Sequence, residues 1–421
     1  MFSKWQWLLT QLGRKLWLRS ALFALLAVFT ALIAIPVELF IKEPFPFSIG
    51  AESVGQILNI LASSMLAVTT FSLSVMVSAY TAASSSATPR ATKLVRQDST
   101  TQNVLATFIG SFLFSLVGII ALSTDLYGDN GRLILFAVTI GVVVIIVVTM
   151  LRWIEHLSML GRLGETTNRV EDAASRAIQQ RVDYPCLGAR RLDWDNLPDY
   201  FDNQIYPEQT GYVQHIDISK LNHYGEQYEA EISVLTEPGQ FIHPAEAIAS
   251  FEGELSEEVE NAIRSAFTVG NERSFDQDPR FGLSVLAEIA SRALSPAVND
   301  PGTAIDIISR AVRLLLPWRE HVRIEDDDEK IVYPQVRISE IQLDGLFEDV
   351  FLPIARDGAG LIEIQVRLQK TLLALKRLCP ECFAEQAQLH SEMAYQRAEH
   401  ALNLDADKQR LKQLVDKIQE K

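Results

Sequence analysis

Four long apolar runs occupy the first 160 residues and set the architecture before any chemistry is considered. The first, Ala21 to Val37, holds one polar residue, Thr30, and carries on to Phe40. Lys4, Arg14, Lys15 and Arg19 precede it, with Trp5, Trp7 and Trp17 among them. A cleavable signal would have an apolar region of about 7 to 15 residues, closed by a small-residue cleavage site. This run is longer and lacks that site, so it predicts a retained span with an aromatic belt. Ile57 to Tyr80, Val104 to Leu122 and Leu133 to Trp153 each supply about 20 mainly apolar residues, the length a membrane helix needs.

Beyond the fourth run the periodicity changes. Glu165, Arg169, Glu171, Asp172 and Arg176 keep helical spacing to about Gln180, which predicts that the last span continues into a stalk. Asp183 to Gln209, with its prolines and aromatics, reads as an irregular connector. Tyr212 to Glu254 alternates in strand fashion, with later pieces at Glu229 to Leu235 and Ala247 to Phe251 and a turn at Glu237-Pro238-Gly239. Helical patterns follow at Glu257 to Phe267, Gly282 to Ala293 and Pro301 to Leu316. Val322 to Val336 reads as a hairpin with an acidic tip at 325–330. The rest is helical in period, through Leu361, Ile364, Leu368, Leu372 and Leu375 to Leu404, Leu411, Val415 and Ile418. The expected fold is an α-helical membrane domain of four transmembrane helices (1–160), a helical stalk (161–182), and a cytosolic α+β domain. That last part comprises a connector with a small β-subdomain (183–255) and a mainly helical region (256–421).

Charge sharpens this division. The chain has 421 residues, 48% hydrophobic and 22% charged, with a formal net charge of -15. Residues 1–162 carry +4 and the remainder -19. So acidic a soluble half disfavours nucleic acid as a partner, because phosphates would be repelled. Loop charges sort as well: Arg90, Lys93 and Arg96 follow the second span, and Arg152, Arg162 and Arg169 follow the fourth. The positive-inside rule therefore predicts a multi-pass protein of the bacterial inner membrane with both termini in the cytoplasm. Three cysteines are too few for a disulfide-built scaffold and suit cytosolic placement.

The second span is the candidate for function. Ser63, Thr70, Ser74, Ser78, Thr81 and Ser85 recur at steps of three or four with Ala67, forming a small, hydroxylated stripe. Such a stripe either lines a wettable ion path or lets helices approach closely. Ionisable groups are absent from the middle of every span, which disfavours a proton-coupled pump. Glu38, Glu43 and Glu52 are placed to form an acidic outer ring in an oligomer, with Asp125 and Asp129 in the other outer loop. In the soluble half, Asp276, Asp278 and Asp300 are hard-oxygen donors, with Asn299 beside them. Capping and ion pairing explain them, with Asp300 before Pro301 as a helix start and Arg280 partnering Asp276 or Asp278. A regulatory Ca²⁺ or Mg²⁺ site is the alternative; no other cofactor is expected. Cys379-Pro-Glu-Cys382 lacks the βαβ context of a redox motif and has only His390 near it, so Pro380 reads as a helix break. No H-E-x-x-H, G-x-S-x-G, Walker loop or G-x-G-x-x-G is present, and an enzyme is unsupported.

Three stretches resemble a known family. Gly211-Tyr-Val-Gln-His-Ile-Asp217, Phe275-Asp-Gln-Asp-Pro-Arg-Phe-Gly282 and Ala293-Leu-Ser-Pro-Ala-Val-Asn-Asp-Pro-Gly-Thr-Ala304 are similar to bacterial predicted membrane proteins of unknown function (domain of unknown function twenty-two fifty-four). The resemblance implies four spans and a cytosolic domain and carries no functional residue with it. The chemistry favours a homo-oligomeric channel for small ions, cation-preferring, embedded in membrane lipid and gated or filtered by its cytosolic domain. A membrane-anchored signalling or scaffold protein with a ligand-binding cytosolic domain is the alternative, and a membrane-bound enzyme the second.

Overall fold

The computed structural model describes residues 51–123, 129–195, 197, 198, 201, 203–254, 256–321 and 331–420, and before them Ala21, Leu22, Leu25, Val28 and Phe29. The described chain divides between Thr166 and Thr167 into two compact units.

The first unit contains α1 (Ala51–Ser86), α2 (Pro89–Arg96), α3 (Ser99–Ser123) and α4 (Asp129–Met159). Within it Glu52–Ser86, Ser99–Ser123 and Gly131–Met159 are long and apolar enough to cross a membrane. The first expected span lies almost wholly outside the described residues. Thr88 caps α2, its hydroxyl accepting from the Arg90 N–H, with Pro89 in the first turn. Asp98 starts α3 in the same way, accepting from the Thr101 N–H at 2.9 Å. The most buried of the three spans is α3. Its Thr107, Ser111 and Ser115 are buried at four-residue steps, with Gly110 and Gly118 buried within one turn of them. A Cβ added at Gly118 would come 2.9 Å from the Leu58 side chain, so α1 and α3 meet at small-residue distance. On α4, by contrast, Val144, Val147, Val148, Leu151 and Ile154 are exposed, an apolar band suited to lipid.

The stalk does not run on unbroken from the last span. α4 stops at Met159, Gly161 takes φ +80°, and α5 (Leu163–Asp183) begins afresh. Any side chain at Gly161 would crowd the Ala79 backbone at 3.0 Å, so both conformation and space call for glycine there.

The second unit has two sheets. The first is ordered β1-β8-β4-β6-β2, from β1 (Ala189–Arg191), β2 (Gln204–Ile205), β4 (Ile232–Val234), β6 (Ala249–Phe251) and β8 (Tyr333–Ile338). The second is β5-β3-β7, from β3 (Gly211–Ile216), β5 (Phe241–Ile242) and β7 (Phe267–Gly270). Three expectations are corrected here. Residues 333–338 form no hairpin arm; as β8 they lie between β1 and β4, parallel to both. The alternation across 212–254 conceals α6 (Ile218–Tyr228), started by Asp217, whose carboxylate accepts from the Lys220 N–H. The helix expected over 257–267 ends early: α7 is Glu257–Arg264, and Phe267 opens β7. Parallel pairing sets Arg190 beside Arg337, and Glu231 accepts from both, at 2.8 and 3.0 Å, which offsets their repulsion.

The remaining helices are α8 (Pro279–Ala293), α9 (Pro301–Leu315), α10 (Trp318–His321), α11 (Leu343–Asp357), α12 (Ile362–Leu378), α13 (Pro380–Ala401) and α14 (Asp405–Gln419). A Cβ at Gly282 would lie 2.3 Å from that of Ala174, so α8 packs directly on the backbone of α5. From α9, Arg310 and Arg313 both engage Glu171 of α5, Arg313 Nε at 2.6 Å. The C-terminal helices bury His390 against the rings of Phe347 and Phe351. Burial, helped by the charge of Arg397, pushes its imidazole down to about 4.

The folded protein thus holds His390 neutral where the unfolded chain would take up a proton. Stability is lost as pH falls from the unfolded value through the folded one. Thermal unfolding of the full-length protein at pH 7 and pH 5 should show a loss of about 2 kcal/mol that His390→Leu removes. Equal acid sensitivity in the two proteins would contradict the buried neutral imidazole.

Candidate functional site

In the membrane unit, α1 has two opposed faces. Leu58, Ala62, Met65, Ser72, Met76, Ala79 and Ala83 are buried within the unit. Ser63, Thr70, Ser74, Ser78, Thr81 and Ser85 fall on the other side of the same helix, and all six are exposed. Ile60 and Phe71 flank this stripe on one edge, Leu73 and Val77 on the other. The hydroxyls of Ser63, Thr70, Ser78 and Thr81 each donate to the carbonyl four residues back, at 2.9 to 3.0 Å. Their hydrogens are therefore spent within the helix, and their oxygens face outward as acceptors. A buried hydroxyl stripe inside the unit belongs instead to α3, at the Thr107-x-x-x-Ser111-x-x-x-Ser115 spacing.

Of the acidic ring, Glu52 is exposed in the first turn of α1. Glu38 and Glu43 lie outside the described residues. One titratable cluster in this unit escaped the sequence reading. His156 Nε2 lies 2.7 Å from the Asp98 carboxylate and 3.2 Å from the Thr101 hydroxyl, which itself donates to Asp98 at 2.5 Å. Acid and hydroxyl meet the same ring nitrogen, so this is a clamp between the α3 cap and the end of α4, without the relay geometry of a nucleophilic triad. Nearby, the Trp153 indole N–H donates to Ser72 at 3.0 Å, tying α4 to the buried face of α1.

In the second unit, the 273–282 segment builds a buried charge cluster around Asp278, which is 2% exposed. Asp278 caps α8, accepting from the N–H groups of Arg280 and Phe281 at 3.1 and 3.0 Å. It also takes a two-pronged bond from Arg273, at 2.7 and 3.0 Å. Gly239 (φ +94°) lies so close that a Cβ there would stand 2.0 Å from the carboxylate. Arg280 pairs with neither nearby aspartate: it reaches Asp349 on α11, at 2.7 and 3.2 Å, past Gly345. On α5, Arg181 is 1% exposed; its Nη2 donates to the Ser339 carbonyl at 3.4 Å, while Nε and Nη1 find no protein acceptor. Burial lowers its proton affinity against the pull of Glu237, and burial raises that of Glu237 against the pull of Arg181. Arg181, Glu237 and Asp349 were not legible as partners, because they lie on separate elements; Arg273, only five residues before Asp278, was passed over in favour of Arg280.

These carboxylates do not assemble a cation site. Asp276 accepts from the Ser274 hydroxyl at 3.1 Å, Asp278 is taken by Arg273, and Asp300 caps α9. The Thr303 hydroxyl and N–H hold the Asp300 carboxyl below the usual range. Among the described residues, no group of three or more His, Cys, Asp or Glu side chains is arranged to hold a metal ion. A groove of about 620 Å³ opens between α8 and α11, lined by Arg280, Glu288, Glu348, Asp349 and Arg356. Cys379 and Cys382 are joined in a disulfide at the α12–α13 junction, where the sequence was read only as a helix break; Cys186 is buried and outside that bond.

Removing the charge at Asp278 strands Arg273, so Asp278→Asn should cost about 3 to 5 kcal/mol. Asp300→Ala removes a cap and should cost about 0.5 to 2 kcal/mol. Melting of the full-length variants checks the order; an Asp278→Asn protein as stable as wild type would contradict the cluster's role.

The chain is similar, at 23% identity over 261 residues, to an uncharacterized protein of Mycobacterium tuberculosis and one of Mycobacterium bovis. Each alignment covers 60% of this chain and 50% of the relative, so the chain spans about half the length of the curated relatives it matches. No solved structure matches it. The family model described as Predicted membrane protein (DUF2254) matches residues 13–374, and the chain belongs to that family.

Proposed function

We propose that several copies of this protein enclose a passive path for small ions across the bacterial inner membrane, with the hydroxyl stripe of α1 as its wall. The observation that carries this reading is the orientation of that stripe. It lies opposite the face α1 uses for packing within its own unit, and is exposed along Ser63, Thr70, Ser74 and Ser78. Hydroxyl oxygens gain nothing from lipid, so such a face is best satisfied by water at an axis between copies. Oxygens whose hydrogens are bonded inside the helix present lone pairs, which favours cations over anions. The -19 charge of residues 163–421 favours the same sign. Helix α1 has 36 residues, about 54 Å, so its Thr81–Ser85 end extends past a hydrocarbon core of about 30 Å. The reading places both termini and the soluble unit in the cytoplasm, on the loop charges given above, and involves no catalysis. The groove between α8 and α11, with its mixed charges, supports a second reading, in which the soluble unit binds a small polar ligand and the spans only anchor it.

Purified protein in planar bilayers should carry cation current. Ser74→Leu with Ser78→Leu should lower it at least tenfold while leaving assembly intact. No current across voltage, pH and divalent conditions, or current indifferent to the leucines, would favour the anchored-ligand reading.

A further inference from the structure

We propose that Cys379 and Cys382 are a reversible redox pair, exchanging with a cytosolic dithiol at the joint between α12 and α13. The proposal rests on the cytoplasmic placement of the soluble unit argued above. The structure bonds the two sulfurs across a Cα–Cα distance of 5.2 Å and a sequence separation of 3. A loop this short removes little entropy from the unfolded chain, so the bond has little value as a staple. In a cytosol that keeps thiols reduced, a disulfide with little structural value is of the transient, exchanging kind.

The local chemistry suits exchange. Cys379 ends α12, its N–H donating to the Leu375 carbonyl at 3.2 Å, and it starts α13, its carbonyl accepting from the Phe383 N–H at 2.9 Å. Its side chain makes no capping hydrogen bond, Pro380 follows in the first turn, and α13 is 22 residues long. A thiolate released at Cys379 would sit at the positive end of that helix, and the last turn of α12 that precedes it carries two basic residues, Lys376 and Arg377. Cys382 is the more open of the two, 9% exposed against 2%. An incoming thiolate therefore attacks the Cys382 sulfur, forming a mixed disulfide, and Cys379 leaves as the stabilised thiolate. The second thiolate of the reductant then attacks its own sulfur in the mixed disulfide and frees Cys382. Two electrons pass from the dithiol to the pair, the dithiol becomes a disulfide, and the two new thiolates take up protons from solvent according to pH. The joint also touches α14: Lys376 donates to the carbonyls of Ile418 and Glu420, and Gln388 to that of Ile418. Opening the pair should therefore loosen the end of α14.

The test equilibrates full-length protein in detergent at pH 7 with mixtures of reduced and oxidised dithiothreitol. Acid quenching and maleimide mass tagging then count free thiols. The expected result is two tags gained together in one two-electron transition while the protein stays folded, lost in Cys379→Ser and in Cys382→Ser. Amide exchange over 411–420 should speed up severalfold on reduction. A pair reduced only after denaturation is a fixed staple and overturns the proposal; so does a pair that stays as free thiols in oxidised dithiothreitol. Placement is read separately, with an impermeant maleimide on Glu420→Cys in a chain whose three native cysteines are serine. Labelling in intact cells overturns placement and proposal together, whereas absence of ion current bears on the pore reading alone.

Discussion

A polar group taken out of water must find its partner in its own chain, and both units are organised by that requirement. In the second unit it falls on Asp278, a carboxylate 2% exposed. Arg273 supplies the counter-charge, two N–H groups of α8 supply the remaining bonds, and Gly239 is the residue that permits the approach. Those bonds fix where α8 begins. From that start Gly282 is delivered onto α5 and Arg280 onto Asp349 of α11. One buried charge thereby positions three helices and the β4–β5 turn.

In the membrane unit the same requirement acts on hydroxyls. Thr107, Ser111 and Ser115 bond to carbonyls of α3 itself, at 2.7 to 2.9 Å, and are small enough to admit α1. The hydroxyls of α1 are also bonded within their helix, yet among the described residues nothing in the unit covers the outward face they occupy. Two helices of similar composition therefore have different roles: α3 buries the hydroxyls of Thr107, Ser111 and Ser115 inside the unit, and α1 presents a stripe of hydroxyls outward.

Much of this was legible in the sequence. Apolar runs located three helices to within about six residues at each end, because a membrane span is set by composition more than by context. The cap Asp300 followed from an aspartate before proline, whereas the same signal at Asp278-Pro279 went unread and that helix was expected to begin only at Gly282. What else escaped depended on distant partners. Strand β8 joins its sheet between β1 and β4, each more than 90 residues earlier in the chain, and no local pattern announces parallel pairing of that kind. Arg280 was read against its sequence neighbours, while its partner Asp349 lies 69 residues on. Helix α6 was hidden by an alternation that its buried Ile218, Leu221, Asn222 and Gly225 satisfy equally well as one helical face. The stripe on α1 was visible, but its direction was not, since that depends on which face α3 occupies.

The account stands on that direction, and proximity between copies reads it most directly. A single cysteine at Ser74, in a chain whose three native cysteines are serine, would be oxidised in native membranes beside two comparison sites, Met76 on the buried face of α1 and Val147 on the exposed band of α4. The account predicts covalent dimers at position 74, with little at 76 or 147. Cross-linking at 147 without cross-linking at 74 would turn the stripe toward lipid or toward another part of the same chain, and would contradict the α1-lined path.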